Sequence, residues 1–311
     1  MLPLNNTLKR RAKYLKKIRK FFEDKSVLEV DTPISYPYPV TDPYIDAFSI
    51  DTQSGMLFLQ TSPEYAMKQL LAKGSGSIYQ ICKAFRNEPK AKYHNHEFTM
   101  LEWYQLAIDD KGLRQEIIEM LLFLNDNFSI HQFSYQYIFN KVLGVDSHQI
   151  SEIELQILVK EKIGQIEGMN KPNQIECLDL LFTHCIEPCL KQYHFVFIYD
   201  YPQVQAALSR VMCNERGQIV AKRFELFFKG VELANGYYEL TNAFEQRQRF
   251  EQDLLTRQQI KKQPVPIDEL LLACLGDIPQ CSGVSLGIDR LLMCFEGYDQ
   301  IDEVLYCISK G

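Results

Sequence analysis

The sequence predicts an α+β fold in which an antiparallel β-sheet is flanked by helices. Three observations predict it. Glu97–Tyr104 alternates with the period of two that marks a strand, and Arg223–Leu233 alternates on both sides of Lys229-Gly230 as a hairpin does. Residues 7–22 and much of 111–194 instead carry apolar side chains at helical spacing.

Taken in order, residues 7–22 set Leu8, Ala12, Leu15, Ile18 and Phe22 on one helical face and Lys9, Arg10, Arg11, Lys13, Lys16, Lys17, Arg19 and Lys20 on the other. This basic face is either a solvated surface or a docking patch for an acidic partner. Val27–Pro33 reads as a short strand stopped by proline, followed by a Pro/Tyr-rich loop through Tyr44. Phe85–Glu88 and Tyr93–Tyr104 follow as strand segments. Leu113, Ile117, Met120, Leu121 and Leu124 share a helical face, 151–163 repeats the pattern, and 111–194 is expected to be a helical insertion that packs on the sheet or covers the site. Gly283–Arg290 is a glycine-punctuated segment leading into Leu291-Leu292-Met293.

With 46% hydrophobic and 24% charged residues in 311, the chain can bury a large core, and one domain is expected. A formal charge of -6 gives no bulk electrostatic reason to hold a polyanion. No apolar run approaches the ~20 residues that cross a bilayer, and no secretory signal precedes the first helix, so a cytoplasmic protein without membrane contact is expected. Nine cysteines without a Cys-x-x-Cys pair fit reduced thiols. Cys177, His184, Cys185 and Cys189 suit helical or core positions better than zinc ligation.

The chemistry concentrates in a few segments. If Glu97–Tyr104 is a strand, Phe98, Met100, Glu102 and Tyr104 share a face, with ~13 Å from Phe98 to Glu102, enough for one strand to serve both ends of an extended ligand. Across the Lys229-Gly230 loop, Phe227 faces Glu232, and Glu225 lies diagonal to Glu232 at ~7–8 Å, so two carboxylates can converge on Mg2+. Strand parity turns Asn235, Tyr237 and Glu239 away from Glu232 unless the chain bulges, and a bulge is predicted at Asn235-Gly236. Arg86 and Arg290 are forked, permanent cations suited to phosphate.

These segments resemble motifs 1, 2 and 3 of class II aminoacyl-tRNA synthetases, lysine branch: the helix–strand–proline of residues 7–33, Phe85–Glu88 with Tyr93–Tyr104, and Gly283–Arg290. The resemblance implies the antiparallel catalytic fold of that class. It runs from residue 8 to 308 and covers only the catalytic domain, so a single domain over 1–311 without an anticodon-binding OB domain is expected. Thr61-Ser62-Pro63-Glu64-Tyr65, Phe98–Tyr104 and Gly230–Gly236 make it similar in particular to the freestanding elongation factor P lysine ligases.

That resemblance implies an ATP- and Mg2+-dependent ligase that activates (R)-β-lysine and transfers it to a lysine of elongation factor P, with a lysine 2,3-aminomutase supplying the β-lysine. It implies a homodimer through motif 1 and no reading of a tRNA anticodon. Arg86 would neutralise the attacking carboxylate and α-phosphate, and Arg290 the γ-phosphate. Asn87, Glu88, His94, Asn95, Phe98, Glu232, Leu233 and Gly287 would complete the ATP site, and Glu225 with Glu232 would hold the magnesium. Ser62, Pro63, Glu64, Glu102, Tyr104, Asn235, Tyr237, Glu239 and Ser285 would receive the amino acid. Glu102 and Glu239 would take its distal ammonium and Glu64 the amine nearer its carboxylate.

Three carboxylates around one small ligand demand cations, so a diamino acid is expected. His96, Asn242 and Ser285 depart from the family pattern of proline, aspartate and glycine or alanine; the first two are expected to be tolerated, and Ser285 to disfavour α-lysine. The competing functions are a truncated tRNA charger, a ligase with another acceptor, and a catalytically dead paralogue. The last is at odds with the presence of Arg86, Arg290, Glu225 and Glu232 together.

Overall fold

The computed structural model describes residues 4–165 and 171–305. Residues 166–170 of the expected insertion and 306–308 of the resembling stretch lie outside the described residues. The chain runs through α1 (Leu4–Asp24), β1 (Leu28–Glu29), β2 (Ser35–Tyr36), β3 (Ser49–Thr52), β4 (Gly55–Leu59), α2 (Glu64–Ala72), β5 (Ile78–Phe85), β6 (Glu97–Leu106) and α3 (Asp110–Leu124). It continues with β7 (Ile130–Ser134), α4 (Tyr135–Leu143), α5 (Glu152–Lys162), α6 (Gln174–Leu181), α7 (Glu187–Leu190) and β8 (Phe195–Tyr201). It closes with β9 (Val211–Cys213), β10 (Ile219–Phe228), β11 (Val231–Tyr238), α8 (Ala243–Gln259), α9 (Glu269–Cys274), β12 (Cys281–Gly287) and α10 (Ile288–Glu296).

Nine strands form the main sheet in the order β1-β5-β6-β12-β11-β10-β8-β7, with β9 added to β10. Its central pairings are antiparallel, and only β1 on β5 and β7 on β8 are parallel. One face is buried by α1, α3 and α10, where Ile18, Phe22, Ile117 and Leu291 meet Leu101, Trp103 and Phe224 of the sheet. On the other face, Tyr65, Leu71, Phe250 and Leu272 from α2, α8 and α9 form one apolar cluster, and α4–α7 form a second against Val196, Ile198 and Phe227. Period two therefore leaves the alternate side chains of β6, β11 and β12 between two apolar supports.

Several expectations are corrected. The N-terminal helix buries Thr7, Ile18, Phe21 and Phe22, whereas Leu8 and Ala12 of the expected apolar face are exposed. Part of its basic face is spent internally: Arg11 donates to Asp289 at 2.6 Å and Thr99 at 2.7 Å, Arg10 pairs with Glu296, and Lys17 donates to the Leu124 carbonyl at the end of α3. The Val27–Pro33 strand shrinks to β1. Within 111–194, α3 belongs to the main core and β7 extends the sheet, so the separate body consists of α4–α7. There Cys177 is buried core and Cys185 is half-buried.

The hairpin is as expected, with Lys229 at φ 47° and Gly230 at φ 81°, the two positive values of a type I′ turn. The bulge lies elsewhere. Phe227 pairs with Glu232 but Leu226 with Ala234, so the extra residue is Leu233. Leu233 and Ala234 both enter the core, which returns Asn235, Tyr237 and Glu239 to the face of Glu232 and Glu225. The backbone continues straight through Gly236 because Phe224 lies over it, where an added Cβ would stand 2.3 Å from the ring. Gly236→Ala is therefore expected to cost ~1–3 kcal/mol of stability, read as a lower urea midpoint. An unchanged midpoint would contradict this packing.

Candidate active site

β6 serves both ends of the site. At one end Arg86, Glu88, His94, Asn95, Phe98, Glu232, Leu233, Ser285, Gly287 and Arg290 line one cavity. The Arg86 guanidinium stands 5.2 Å from the centre of the Phe98 ring, and its Nε is buried without a partner. Arg86 is placed by its backbone, whose N–H donates to the His96 carbonyl at 2.9 Å. Arg290 reaches in from the first turn of α10 and donates to the Tyr93 carbonyl at 3.1 Å and the Glu232 carbonyl at 2.8 Å. Burial lowers the pKa of Arg290, Glu232 opposes that, and Arg86 adds to it. Two guanidiniums repelling one another across a cavity fit a polyphosphate ligand. Glu88 is held below the usual carboxylate range, chiefly by its hydrogen bond with His94.

Asn87 is not brought into this cavity. It is exposed, and its backbone N–H donates to the Asp46 carbonyl at 2.8 Å. The Asn95 side chain donates to the Glu97 carbonyl at 2.8 Å and so shapes the turn into β6. His96 keeps the same turn closed, with Nδ1 3.4 Å from the Arg86 carbonyl. Asn242 caps α8 by accepting from Glu245 N–H at 3.0 Å, a role asparagine fills as well as aspartate.

Glu225 and Glu232 lie on one face, as the hairpin register requires. Glu225 accepts hydrogen bonds from Arg223 and, at 2.7 Å, from the Tyr201 hydroxyl, two partners the sequence did not flag. Its carboxyl is pushed up to about 7, by burial first, with Arg223 opposing and Glu232 adding. Glu187, delivered at the start of α7, joins this field and is also pushed up to about 7, by burial and then by Glu232 and Glu225. Glu232 remains half-exposed toward the cavity, 3.9 Å from Arg290. Glu225 and Glu232 still repel one another despite Arg223 and Arg290, and such a pair of oxygen donors fits Mg2+.

At the other end of β6, Glu102 is 2% exposed; its Oε1 accepts from the Tyr104 hydroxyl at 2.7 Å and its Oε2 from the Ser62 hydroxyl at 3.0 Å. Ser62 also accepts from Glu64 N–H at 3.0 Å, so the segment leading into α2 is tied to β6. Pro63 is the residue before the first turn of α2, and its carbonyl accepts from Met67 N–H. Tyr237 is cross-strand from both Arg223 and Gly283. Gly283 leaves room for its neighbours: a Cβ there would stand 2.3 Å from the Tyr104 ring and 2.5 Å from Glu239 Oε1. Ser285 lies cross-strand from Glu102 and from Asn235, where the two ends of the site meet.

A further residue missed is Lys68. Its Nζ is 2.6 Å from Glu64 and 2.7 Å from Glu239, with the side chain 2% exposed. The pocket thus already contains one cation, and Glu64 and Glu239, assigned to different amines, are bridged by it. The available signal was the i, i+4 spacing of Glu64 and Lys68 at the start of a helix.

The family model for tRNA synthetases class II (D, K and N) matches residues 3–307. A Sodalis glossinidius (strain morsitans) protein named elongation factor P--(R)-beta-lysine ligase is 42% identical over 311 residues, covering 97% of this chain and 94% of that protein. Proteins of the same name from Edwardsiella ictaluri (strain 93-146) and Pseudoalteromonas translucida (strain TAC 125) are 43% and 44% identical; they cover 97% and 96% of this chain, and 94% of each relative is matched. With its antiparallel sheet, its motif-borne arginines and a match over nearly its whole length, the chain belongs to the class II tRNA synthetases of the D, K and N group.

Proposed function

We propose that this protein is an ATP-dependent ligase that activates (R)-β-lysine as its adenylate and transfers it to the ε-amine of a lysine on elongation factor P. The observation that carries the proposal is that β6 sets Phe98 of the Arg86–Arg290 cavity and the buried Glu102–Tyr104 pair on one strand, with Ser285 lining the cavity and lying cross-strand from Glu102. Family membership and the names of the relatives support the reaction and the acceptor.

In the first step a carboxylate oxygen attacks the α-phosphorus and pyrophosphate leaves. Arg86, with an unpartnered buried Nε, offsets charge there, and Arg290 holds the far phosphates. A magnesium ion held by Glu225 and Glu232 would supply further neutralisation of phosphate charge. In the second step the acceptor amine attacks the acyl carbon, AMP leaves, and the amine loses a proton. The carboxylates of the pocket hold the substrate's ammonium groups throughout. The protein works in the cytoplasm as a homodimer through α1 and β1, a reading supported by the exposed Leu8 and Leu28 on those elements. A lysine 2,3-aminomutase supplies the β-lysine.

Ser285→Gly is expected to improve kcat/KM for α-lysine relative to (R)-β-lysine by about 10-fold, because the side chain stands between Asn235 and Glu102 where an α-amino group would lie. Unchanged selectivity would make Ser285 a spacer. The proposal as a whole is tested by incubating the protein with ATP, magnesium and labelled (R)-β-lysine plus either elongation factor P or bulk tRNA. Label on the protein acceptor is expected, and label on tRNA alone would overturn the assignment.

A further inference from the structure

Lys68 is an ammonium sealed inside the protein. It lies one turn along α2 from Glu64 and bridges that carboxylate to Glu239 on the opposite side of the pocket. It is Oε2 of Glu239 that lies 2.7 Å from this ammonium. The third carboxylate, Glu102, receives only neutral donors, the hydroxyls of Tyr104 and Ser62, and forms no ion pair among the described residues. Three carboxylates and one ammonium leave an excess of two negative charges when all are ionised. A dry pocket does not sustain that excess without a ligand.

We propose that Lys68 sets the charge of the amino-acid pocket so that two ligand ammonium groups complete it, and that Glu102 carries a proton in the empty pocket and releases it when such a ligand binds. The O–H bond of Glu102 breaks, its proton passes to solvent, and both ligand ammonium groups stay protonated. A monoamino acid brings one ammonium, which balances the pocket with Glu102 still neutral, and it releases no proton. Lys68 acts through Glu64 and Glu239, so it is a positioning residue. The inference rests on the function proposed above.

The surroundings leave Glu102 and Glu239 as the groups that titrate near neutrality. Glu102 is pushed up to about 8, by burial first and by the charge of Glu64 next, against the hydrogen bonds from Tyr104 and Ser62. Glu239 is pushed up to about 7 by burial, with Lys68 opposing. For Lys68 itself, burial acts downward, but Glu239 and Glu64 outweigh it and the ammonium stays charged. From the adjoining elements, burial raises the phenols of Tyr65, Tyr104 and Tyr237, and pushes the thiols of Cys82 and Cys281 up to about 12, so all five stay neutral. Arg210, behind Glu239, donates to its carbonyl at 2.7 Å.

The test is calorimetric titration of the whole protein at pH 7 with (R)-β-lysine and with α-lysine, in buffers of different ionisation enthalpy. The buffer dependence of the heat is expected to report release of about one proton per ligand, vanishing in Glu102→Gln. Lys68→Met is expected to release more, because a second carboxylate then starts protonated, and Lys68→Arg to restore the wild-type value. Binding by the wild-type protein with no proton release overturns the inference. Unchanged release in a folded Lys68→Met protein overturns the part assigned to Lys68. Absence of binding by either diamino acid, with or without ATP, overturns the functional proposal beneath it.

Discussion

Arg86→Ala is expected to lower amino-acid-dependent ATP–pyrophosphate exchange by about 10³-fold while leaving the melting temperature nearly unchanged. Charge concentrates where the carboxylate meets the α-phosphate, and a preorganised forked cation in a dry cavity stabilises that point far more than a mobile one in water. The two effects separate because the fold makes little use of the guanidinium: Nε has no partner, and the ring of Phe98 is its neighbour at 5.2 Å. The backbone N–H, which ties the strand to His96, survives the substitution. Arg86→Lys keeps the charge but loses the fork, so it should recover only part of the rate. Retention of more than a tenth of the exchange by Arg86→Ala would remove this residue from the chemistry.

Glu239→Ala is expected to weaken use of (R)-β-lysine by about 100-fold or more, since removing one member of a buried ion pair costs ~3–5 kcal/mol. Here the loss has two parts. The ligand loses an acceptor, and Lys68, 2% exposed, is left with Glu64 alone, so it competes with the ligand's ammonium for the remaining carboxylates. Glu102→Ala is expected to give a comparable loss through the acceptor alone. The measurement is kcat/KM for (R)-β-lysine in pyrophosphate exchange at saturating ATP. Near-normal turnover at low substrate by either variant would place the distal amine elsewhere.

Features written in local chemistry were legible in the sequence. Alternation on both sides of Lys229-Gly230 announces a two-residue turn, with Gly230 free to take positive φ, and the alternation of Phe98–Tyr104 announces which residues share a face. Features decided by distant packing were not. The bulge was expected at Asn235-Gly236 because glycine marks such sites, yet Phe224 occupies the space over Gly236 and the core takes Leu233 and Ala234 together. Arg11 looked like one more surface cation until Asp289, 278 residues away, was seen to lie beside it. Periodicity identified α3 as a helix but could not say which body it joins, since that depends on where its apolar face finds a partner.

The site shows the same division. Motif spacing led to both arginines and to the carboxylates of β6, β10 and β11, and the resemblance supplied their roles. Asn87 belongs to the same motif but lies past the end of β5, where the expected strand has stopped and its backbone is tied to Asp46, so its side chain is exposed. Lys68 escaped notice because a lysine on a helix is usually solvated, and only tertiary packing reveals that the far side of the pocket supplies Glu239.

The central claim, that this site joins ATP to a β-amino-acid carboxylate, is tested most directly by ATP–pyrophosphate exchange with the purified protein and magnesium. Exchange would be compared with (R)-β-lysine, with α-lysine and with no amino acid. Strong exchange that depends on (R)-β-lysine and exceeds that with α-lysine is the predicted result. Exchange with neither amino acid, or with α-lysine in preference, would contradict it.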